Sequence, residues 1–245
     1  QRAHNLREQS RLEYVSAAGL RIDGRRPKEA RRIRCRMGLF SRVDGSAYFE
    51  QGNTKAIAVV YGPRESTFRS RTQHDRATLN CEYSLAPFST SERRKRRHGD
   101  RRSMEIALAV KQTFENVVHT HLYPRSQIDI FVQVIQADGD GMCPCINAAT
   151  LALINAGVSM KDFVVACSAG FLEKTPLLDL NFVESSASGP LLPVAYTPRS
   201  DKVSLIQMDS RLPLEAFEDV FQLALEGCRH VFETLENAVR EHTQA

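Results

Sequence analysis

Hydrophobic residues recur along this chain with two different periods, and this mixture limits the folds that the chain can adopt. Between residues 128 and 134 every even-numbered position is Ile or Val, while the positions between them are Asp, Phe and Gln. That alternation predicts a strand with one strongly apolar face. In the segment 102–121, by contrast, apolar residues recur three or four positions apart, which predicts a helix. A chain that mixes both patterns is predicted to form an α+β, or mixed α/β, domain.

The same patterns divide the rest of the chain into further strands and two more helices. Residues 1–30 look irregular, and we assign 1–18 to an N-terminal arm and 19–245 to one domain, although two fused halves would also fit the length. One helix is predicted for 146–156 and a last one from about residue 213, with an apolar stripe of Leu214, Phe217, Phe221, Leu225, Cys228, Phe232 and Leu235. The predicted strands span residues 33–40, 47–51, 55–61, 78–88, 128–134, 164–171, 192–196 and 203–208.

Composition points to an ordinary soluble protein. The 245 residues are 42% hydrophobic and 25% charged, which is typical of globular domains. No stretch approaches the roughly 20 apolar residues of a membrane span, so we expect no membrane association. The first ten residues are too polar for a signal peptide. The scattered cysteines are therefore interpreted as reduced thiols of a cytosolic or nuclear protein.

Positive charge is concentrated in one short segment. Residues 93–102 contain seven cations and one anion, a net charge of +6, and since the whole chain nets +4 the rest carries −2. Local basicity of this kind is typical of contact with a polyanion such as RNA or DNA. A solvated loop or a nuclear localisation signal would look the same. Three further arginines, Arg32, Arg34 and Arg36, share one strand face and suggest a nucleic-acid path, an acidic partner or plain solvation.

The segment 138–145 joins a predicted strand to a predicted helix, where phosphate groups are often bound. Gly139 and Gly141 suit such a loop, but the carboxylate of Asp140 would repel a phosphate and the segment has no Arg or Lys. On this chemistry alone, a structural turn is favoured. The thiols of Cys143 and Cys145 lie just before the predicted helix, where a thiolate is favoured, yet inert packing residues are the better interpretation.

Two carboxylates farther along, Asp179 and Glu184, are spaced closely enough to hold Mg²⁺ together with water and substrate phosphates. Acidic residues near turns are more often only solvated. We therefore predict that the chain has no metal site and no other cofactor.

Eight ordered runs of residues carry a more specific signal. They are Gly19-Leu-Arg-Ile-Asp-Gly-Arg-Arg-Pro27, Asp44-Gly-Ser-Ala47, Gln51-Gly-Asn-Thr-Lys55, Val60-Tyr-Gly-Pro63, Ser126-Gln-Ile-Asp-Ile130, Gln136-Ala-Asp-Gly139, Ile146-Asn-Ala-Ala-Thr-Leu-Ala-Leu153 and Pro176-Leu-Leu-Asp-Leu180. These runs resemble the ribonuclease PH family, from about residue 12 to residue 242. Within that family they are similar to the exosome ring subunits that are related to the archaeal phosphorolytic subunit.

The resemblance implies a fold, a set of partners and a location. The fold would be ribonuclease PH-like, with two β-α-β-α-like halves in one domain. The chain would join ribonuclease-PH-like subunits of the other class in a hexameric exosome ring, with single-stranded RNA threaded through the pore and RNA-binding cap subunits attached. The expected location is the nucleus and nucleolus, and also the cytoplasm.

The resemblance also implies which cations contact RNA. In such rings the loop after Pro63 lies near the pore entrance, and the segment 93–102 would lie along the RNA path. The predicted RNA-binding residues are therefore Arg64, Arg69, Arg71, Arg93, Arg94, Lys95, Arg96, Arg97, Arg101 and Arg102.

Two departures from the family pattern decide the expected activity. Catalytic members read Asp-Gly-Gly-Thr-Arg-Ser where this chain reads Asp138-Gly-Asp-Gly-Met-Cys143, so that Met142 replaces the arginine that holds the attacking phosphate. Catalytic members also carry a second Asp six residues after Asp179, where this chain has Ser185. Together with the repulsion from Asp140, these losses should exceed roughly 4 kcal/mol, or about a thousandfold in rate. We therefore predict no catalytic residues, with Asp179 as a vestige.

Three functions remain open on this basis. The first is a non-catalytic core subunit of the RNA exosome, which supports 3′-to-5′ RNA processing and degradation by forming the ring and contacting RNA in its channel. The alternative is an active phosphate-dependent 3′-to-5′ exoribonuclease with an unusual site. A pure assembly protein without RNA contact is the third, and the +6 segment argues against it.

Overall fold

A computed structural model of the chain describes residues 14–16, 18–66, 73–93, 100–173, 175–187, 189–208 and 210–244. Within these ranges nine strands form two sheets, and four α-helices accompany them. The strands are β1 (Ile33–Met37), β2 (Gly45–Gln51), β3 (Thr54–Glu65), β4 (Thr78–Leu85), β5 (Ser126–Gln136), β6 (Val165–Leu172), β7 (Thr175–Leu178), β8 (Leu191–Thr197) and β9 (Lys202–Ile206). The helices are α1 (Arg101–Val117), α2 (Met142–Asn155), α3 (Phe182–Ser185) and α4 (Leu214–Gln244), with a 3-10 turn at Thr120–Leu122.

The first sheet is mixed and has one open face. Its strand order is β1-β2-β3-β5-β4, and all neighbours are antiparallel except β4 and β5, which are parallel and flank α1 in the sequence. The alternation predicted for β5 is confirmed, because the even-numbered positions from Ile128 to Val134 are at most 1% exposed whereas Phe131 is 39% exposed. One face of the sheet therefore packs into the core, while the other, which we call the open face, is partly exposed among the residues that the structure describes.

The second helix lies at the centre of the core. α2 contacts β2 and β3 of the first sheet and β6 of the second, and all its residues from Met142 to Leu153 are buried. It approaches β2 closely because position 45 is glycine: a Cβ atom on Gly45 would lie 2.2 Å from the carbonyl oxygen of Ala152. The close approach brings the C-terminal end of α2 against β2.

The second sheet is antiparallel, in the order β7-β6-β8-β9, and packs against α4. The stripe predicted for α4 is only partly correct, because Leu214 is 84% exposed while Cys228 and Leu235 are fully buried. The face that meets β6 and β8 is rotated toward Val220, Leu223, Ala224, Gly227, Cys228, Val231 and Leu235. None of the described helices combines the length and the apolar character needed to cross a bilayer.

Several element boundaries differ from the prediction for local reasons. β3 continues past the predicted end at Tyr61, with a bulge between Tyr61 and Arg64 where the Gly-Pro pair lies, so Arg64 is in a strand and not in a loop. α2 begins at Met142, four residues before the predicted start. β7 and α3 were not predicted, since each has only four residues and β7 contains a proline, which is rare inside strands.

Candidate functional site

An open cleft with a volume of about 1500 Å³ lies beside the N-terminus of α2. Its walls come from β4, the first turns of α1, the segment that leads into α2, and α3. Five residues that the sequence marked for separate reasons line it, namely Arg101, Arg102, Asp140, Met142 and Ser185. Because the described end of the basic segment, the segment that family resemblance links to phosphate and the position that it links to a metal ligand converge here, this cleft is the candidate site.

Asp140 places a carboxylate at the N-terminus of α2. Its Oδ1 accepts a hydrogen bond from the backbone N–H of Met142 at 3.0 Å, and its Oδ2 accepts one from Cys143 at 3.3 Å. Asp140 is only 9% exposed. The helix dipole favours a negative charge at this end, and the carboxylate uses amide donors that a bound phosphate would need. The cleft therefore carries a fixed negative charge where the helix would otherwise attract an anion.

Met142 and Ser185, the two departures from the family pattern, line the same cleft. Met142 is 7% exposed, and its thioether has no charge to offer a phosphate. The hydroxyl of Ser185 donates a 3.1 Å hydrogen bond to the carbonyl oxygen of Phe182 within α3. Neither side chain supplies the guanidinium or the carboxylate that catalytic members are expected to carry.

The two cysteines of the same segment lie inside the helix rather than before it, because α2 begins at Met142. The prediction that Cys143 and Cys145 precede the helix is therefore wrong. Burial raises the pKa of both thiols well above the ordinary value, and the nearby Asp140 carboxylate raises it further. A buried neutral thiol is inert, which agrees with their interpretation as packing residues.

Asp179 is held by Arg31 in a buried ion pair. The Nη2 and Nε atoms of Arg31 donate to Oδ1 and Oδ2 of Asp179 at 2.7 and 2.9 Å, and the backbone N–H of Arg31 donates to Oδ2 at 2.9 Å. Burial opposes ionisation, but the hydrogen bonds and charge of Arg31, together with Arg25, hold the pKa of this carboxyl below its ordinary value. Both carboxylate oxygens are committed to protein donors, and Asp179 is not among the residues that line the cleft.

Glu184 is also fully buried, and it is paired with Arg21. The Nε atom of Arg21 donates to Oε1 at 2.8 Å, and Glu184 forms a capping box with Asn181 at the start of α3. Ion pairs thus account for both carboxylates that were weighed as Mg²⁺ ligands. In the part of the chain that the structure describes, no three or more His, Cys, Asp or Glu side chains are grouped to hold a metal ion.

Three arginines that sequence reasoning missed hold this region together, and we call them the arginine clasp: Arg21, Arg25 and Arg31. Besides the two ion pairs, Arg21 donates to the carbonyl oxygen of Leu178 at 2.5 Å, and Arg25 donates to that of Asp179 at 3.1 Å. The clasp joins the segment before β1 to the turn between β7 and α3. The only sequence signal was that Arg21 and Arg25 lie in the first of the family-like runs.

The structure describes four of the ten predicted RNA-binding residues. Arg93, Arg101 and Arg102 are exposed, and the last two line the cleft. Arg101 forms a 2.9 Å salt bridge with Glu105 one turn along α1. The other six predicted residues lie outside the described part of the chain: Arg69, Arg71, Arg94, Lys95, Arg96 and Arg97.

Arg64, the fourth of the predicted RNA-binding residues that the structure describes, is held in place by neighbouring side chains. It forms an ion pair with Asp129, which also accepts hydrogen bonds from Gln127 at 2.6 Å and Asn80 at 3.1 Å. Its guanidinium lies 5.7 Å from the ring centroid of Tyr61, within cation–π distance. Half of the Arg64 side chain remains exposed, so its position is fixed while one side stays accessible to an anion.

Comparison with known sequence families covers most of the chain. Residues 29–159 match domain 1 of the 3′ exoribonuclease family, and residues 162–227 match domain 2 of the same family. The chain therefore belongs to the ribonuclease PH-type 3′ exoribonuclease family, and the family resemblance of its sequence runs is confirmed.

Curated relatives match nearly the whole length. The chain is 55% identical to "Exosome complex component RRP41" of Mus musculus over 234 residues, which are 95% of this chain and 96% of the relative. It is 42% identical to "Exosome complex component Rrp41" of Methanopyrus kandleri over 227 residues, or 93% and 95% of the two chains. The likeness to exosome components, including an archaeal one, is thereby confirmed.

Two solved structures share the fold at low sequence identity. Rice (Oryza sativa) Rrp46 superposes with a TM-score of 0.80 at 22% identity, over 89% of this chain and all of that one. A chain from the structure titled "archaeoglobus fulgidus exosome with RNA bound to the active site" superposes with a TM-score of 0.78 at 20% identity, over 89% of this chain and 93% of that one. The predicted fold class, a mixed α+β ribonuclease PH-like fold, is confirmed.

Proposed function

We propose that this chain is a core ring subunit of the RNA exosome that contacts RNA but performs no phosphorolysis itself. The observation that carries the proposal is the Asp140 carboxylate, which accepts the first two amide hydrogens of α2. Family resemblance assigns the attacking phosphate to this segment in catalytic members. An inorganic phosphate would have to displace Asp140 and would meet its negative charge.

The surroundings of Asp140 support the same conclusion. Met142 supplies no cation, Ser185 supplies no metal carboxylate, and the oxygens of Asp179 are taken up by Arg31. Losing a charged hydrogen-bond donor, losing a metal carboxylate and gaining a repulsive charge together cost roughly 4 kcal/mol or more, which corresponds to about a thousandfold in rate. Phosphorolysis by this chain should therefore fall below detection.

The proposed partners and cellular location of the chain are inferred from its relatives. The mouse and archaeal relatives are named as exosome components, so the chain is assigned to an exosome, with ribonuclease-PH-like subunits of the other class in a hexameric ring. RNA-binding cap subunits, and a place in the nucleus, nucleolus and cytoplasm, belong to the same proposal. Single-stranded RNA would be contacted by the cations of the segment 93–102.

A second candidate function is an active phosphate-dependent 3′-to-5′ exoribonuclease. Arg101 and Arg102 favour it, because both line the cleft and guanidinium groups bind phosphate. Against it, their positive charge shares the cleft with four carboxylates, those of Glu82, Asp100, Glu105 and Asp140.

The deciding experiment is RNA degradation in the presence of phosphate. The purified chain, alone and in its ring, is incubated with single-stranded RNA, phosphate and Mg²⁺, and nucleoside diphosphates are quantified. We expect no release that depends on this chain. A matched variant restores the family pattern with Asp140→Gly, Gly141→Thr, Met142→Arg, Cys143→Ser and Ser185→Asp, and a gain of phosphate-dependent release would locate the loss at these positions. Release by the unaltered chain would refute the proposal.

A further inference from the structure

The open face of the first sheet carries aromatic and cationic side chains that the proposed function does not use. It is the side of the sheet turned away from α2. Strand register places Arg36 opposite Tyr48, Tyr48 opposite Ile57, and Ile57 opposite Gln133, so one row of outward side chains crosses four strands. The next row brings Phe131 opposite Val59 on β3 and opposite Glu82 on β4, so the positive charge of the face lies at its β1 side and not beside Phe131.

The aromatic rings of this face are accessible and held in place. Phe131 is 39% exposed, and its ring meets that of Tyr61 edge to face, with centroids 5.8 Å apart. Tyr61 in turn lies under the Arg64 guanidinium. Tyr48 is partly exposed, and its hydroxyl donates to Glu50 at 2.9 Å. Rings that are braced in this way lose little conformational entropy when a base stacks on them.

Positive charge lies at the β1 side of the same face. Arg34 and Arg36 are exposed, Lys55 is partly exposed, and within the described residues none of the three forms a salt bridge. Glu50 is the one carboxylate placed between Arg34 and Lys55 in the register, which leaves this half of the face with a net charge of about +2. Phe131 on β5 is separated from the β1 arginines by roughly 14 Å, which is three inter-strand distances of about 4.8 Å each.

We propose that the open face, on the side of the sheet turned away from α2, is a single-stranded RNA-binding surface on which Phe131 stacks on a base while Arg34 and Arg36 contact phosphates. The chemistry favours RNA over a protein partner. A protein would have to bury these cations and supply carboxylates to each of them, whereas single-stranded RNA supplies phosphates and unstacked bases side by side. Sheets that display aromatic rings bind single-stranded RNA in this manner.

The amide of Gln133 adds a donor and an acceptor beside the ring of Phe131. Gln133 is exposed and lies two positions along β5, on the same face. Base stacking tolerates any sequence, and phosphate contacts are blind to sequence. The surface should therefore bind single strands with no more base preference than the Gln133 amide supplies, and it should bind duplexes poorly because paired bases are not free to stack.

The test measures affinity of the purified full-length chain, without ring partners, for a short fluorescent oligouridine. Phe131→Thr removes the ring, and Phe131→Trp keeps a stacking surface. Arg34→Thr with Arg36→Thr removes the two cations and keeps strand-forming residues. Matched controls are Leu214→Ala, an exposed apolar residue on α4, and Lys202→Ala, an exposed cation on β9. Thermal unfolding of each variant verifies that it is folded.

We expect Phe131→Thr to weaken binding by about fivefold or more, since one stacked base contributes that much, while Phe131→Trp retains it. The double arginine variant should make the dependence on salt shallower by about 1.4 in log–log slope, because two phosphates would no longer be neutralised. The controls should bind like the unaltered chain.

Three outcomes would overturn the inference. The first is unchanged affinity in the Phe131 and arginine variants, and the second is an equal loss in the controls. The third is disappearance of the Phe131 effect when ring subunits are added, which would make the open face a protein interface. The proposed function is tested separately, by phosphorolysis and by variants of the segment 93–102, so either idea can fail while the other stands.

Discussion

Two carboxylates near the cleft are both satisfied by the protein's own donors. Asp140 accepts the first amide hydrogens of α2, and Asp179 accepts three hydrogen bonds from Arg31. A buried charge is costly unless it is paired and hydrogen-bonded. Because the chain's own donors hold both carboxylates, neither needs a metal ion to balance it.

The Asp179–Arg31 pair gives a pH-dependent prediction. Replacing Asp179 with Asn leaves the Arg31 charge buried without its partner, and we expect a loss of about 3–5 kcal/mol in the free energy of unfolding at pH 7. The pKa of Asp179 lies below its ordinary value of 3.8 in the folded chain. Its stabilisation is therefore complete above that value and is lost as the pH falls through the lower folded pKa.

Urea unfolding at pH 7 and at several values below pH 4 measures this difference. The gap between the unaltered chain and Asp179→Asn should narrow as the pH falls. Glu236→Gln is the control, because Glu236 pairs with Arg240 on the surface of α4, and such pairs contribute at most about 1 kcal/mol. A gap that stays constant with pH would contradict the role assigned to the pair.

At the scale of elements, the glycine at position 45 lets β2 approach the C-terminal end of α2 closely. Gly45→Ala would place a Cβ atom 2.2 Å from the Ala152 carbonyl oxygen, and 2.7 Å from the Ala156 Cβ. The helix or the strand must shift, and overpacking of this kind costs about 1–3 kcal/mol. We expect a lower unfolding midpoint in a thermal melt.

Gly141→Ala is the matched control for that substitution, since its Cβ would meet only the Tyr83 hydroxyl at 3.5 Å, an ordinary contact. It should change stability by well under 1 kcal/mol. If Gly45→Ala melts at the same temperature as Gly141→Ala, the close approach of β2 and α2 does not limit the packing.

Sequence patterns anticipated the elements that have a strong period. The alternation in β5 and the apolar spacing of α1 are local, so eight of the nine strands, all but the short β7, and the three long helices were predicted near their observed places. The start of α2 was missed because its N-cap is Gly141, which has no side chain to form the capping hydrogen bond that marks a helix start. The arginine clasp was missed because its partners lie 148 to 163 residues apart, and no local pattern reports such contacts.

The candidate site was predicted in part for the same reason. Met142, Ser185 and Asp140 could be singled out because the family resemblance gave them expected identities, and they do line one cleft. The sequence could not predict which groups each side chain contacts. That Asp140 would accept the amides of α2, and that Glu184 would be neutralised by Arg21, depends on the packed geometry.

Assembly is the first prediction for the whole molecule. In the proposed ring two classes of subunit alternate, and this chain resembles one of them, so it should form a stable complex with a ribonuclease-PH-like subunit of the other class. Obligate interfaces of this kind are large. Co-expression followed by size-exclusion chromatography shows whether the complex forms, with the chain expressed alone as the control. A stable homohexamer that ignores such a partner would contradict the prediction.

The basic segment 93–102 gives the last prediction, for the assembled ring. Its net charge of +6 exceeds that of the whole chain, and two of its members, Arg101 and Arg102, line the cleft. Changing Arg93, Arg94, Arg96 and Arg97 to Ala should weaken RNA binding about equally for different sequences, because phosphate contacts carry no sequence information. The salt slope should become shallower by about one unit for every phosphate that the segment no longer neutralises.

RNA affinity of the ring, measured against salt concentration, tests this. Changing the same four residues to Lys is the matched control: it keeps the charge, so the slope should stay near that of the unaltered ring, although lysine cannot bind a phosphate in bidentate fashion. Folding should survive in both variants, since surface substitutions rarely change stability by more than about 0.5 kcal/mol. An unchanged affinity and slope in the alanine variant would leave these arginines as a solvated surface or a nuclear localisation signal. In that case the +6 segment would not contribute to the affinity of the ring for RNA.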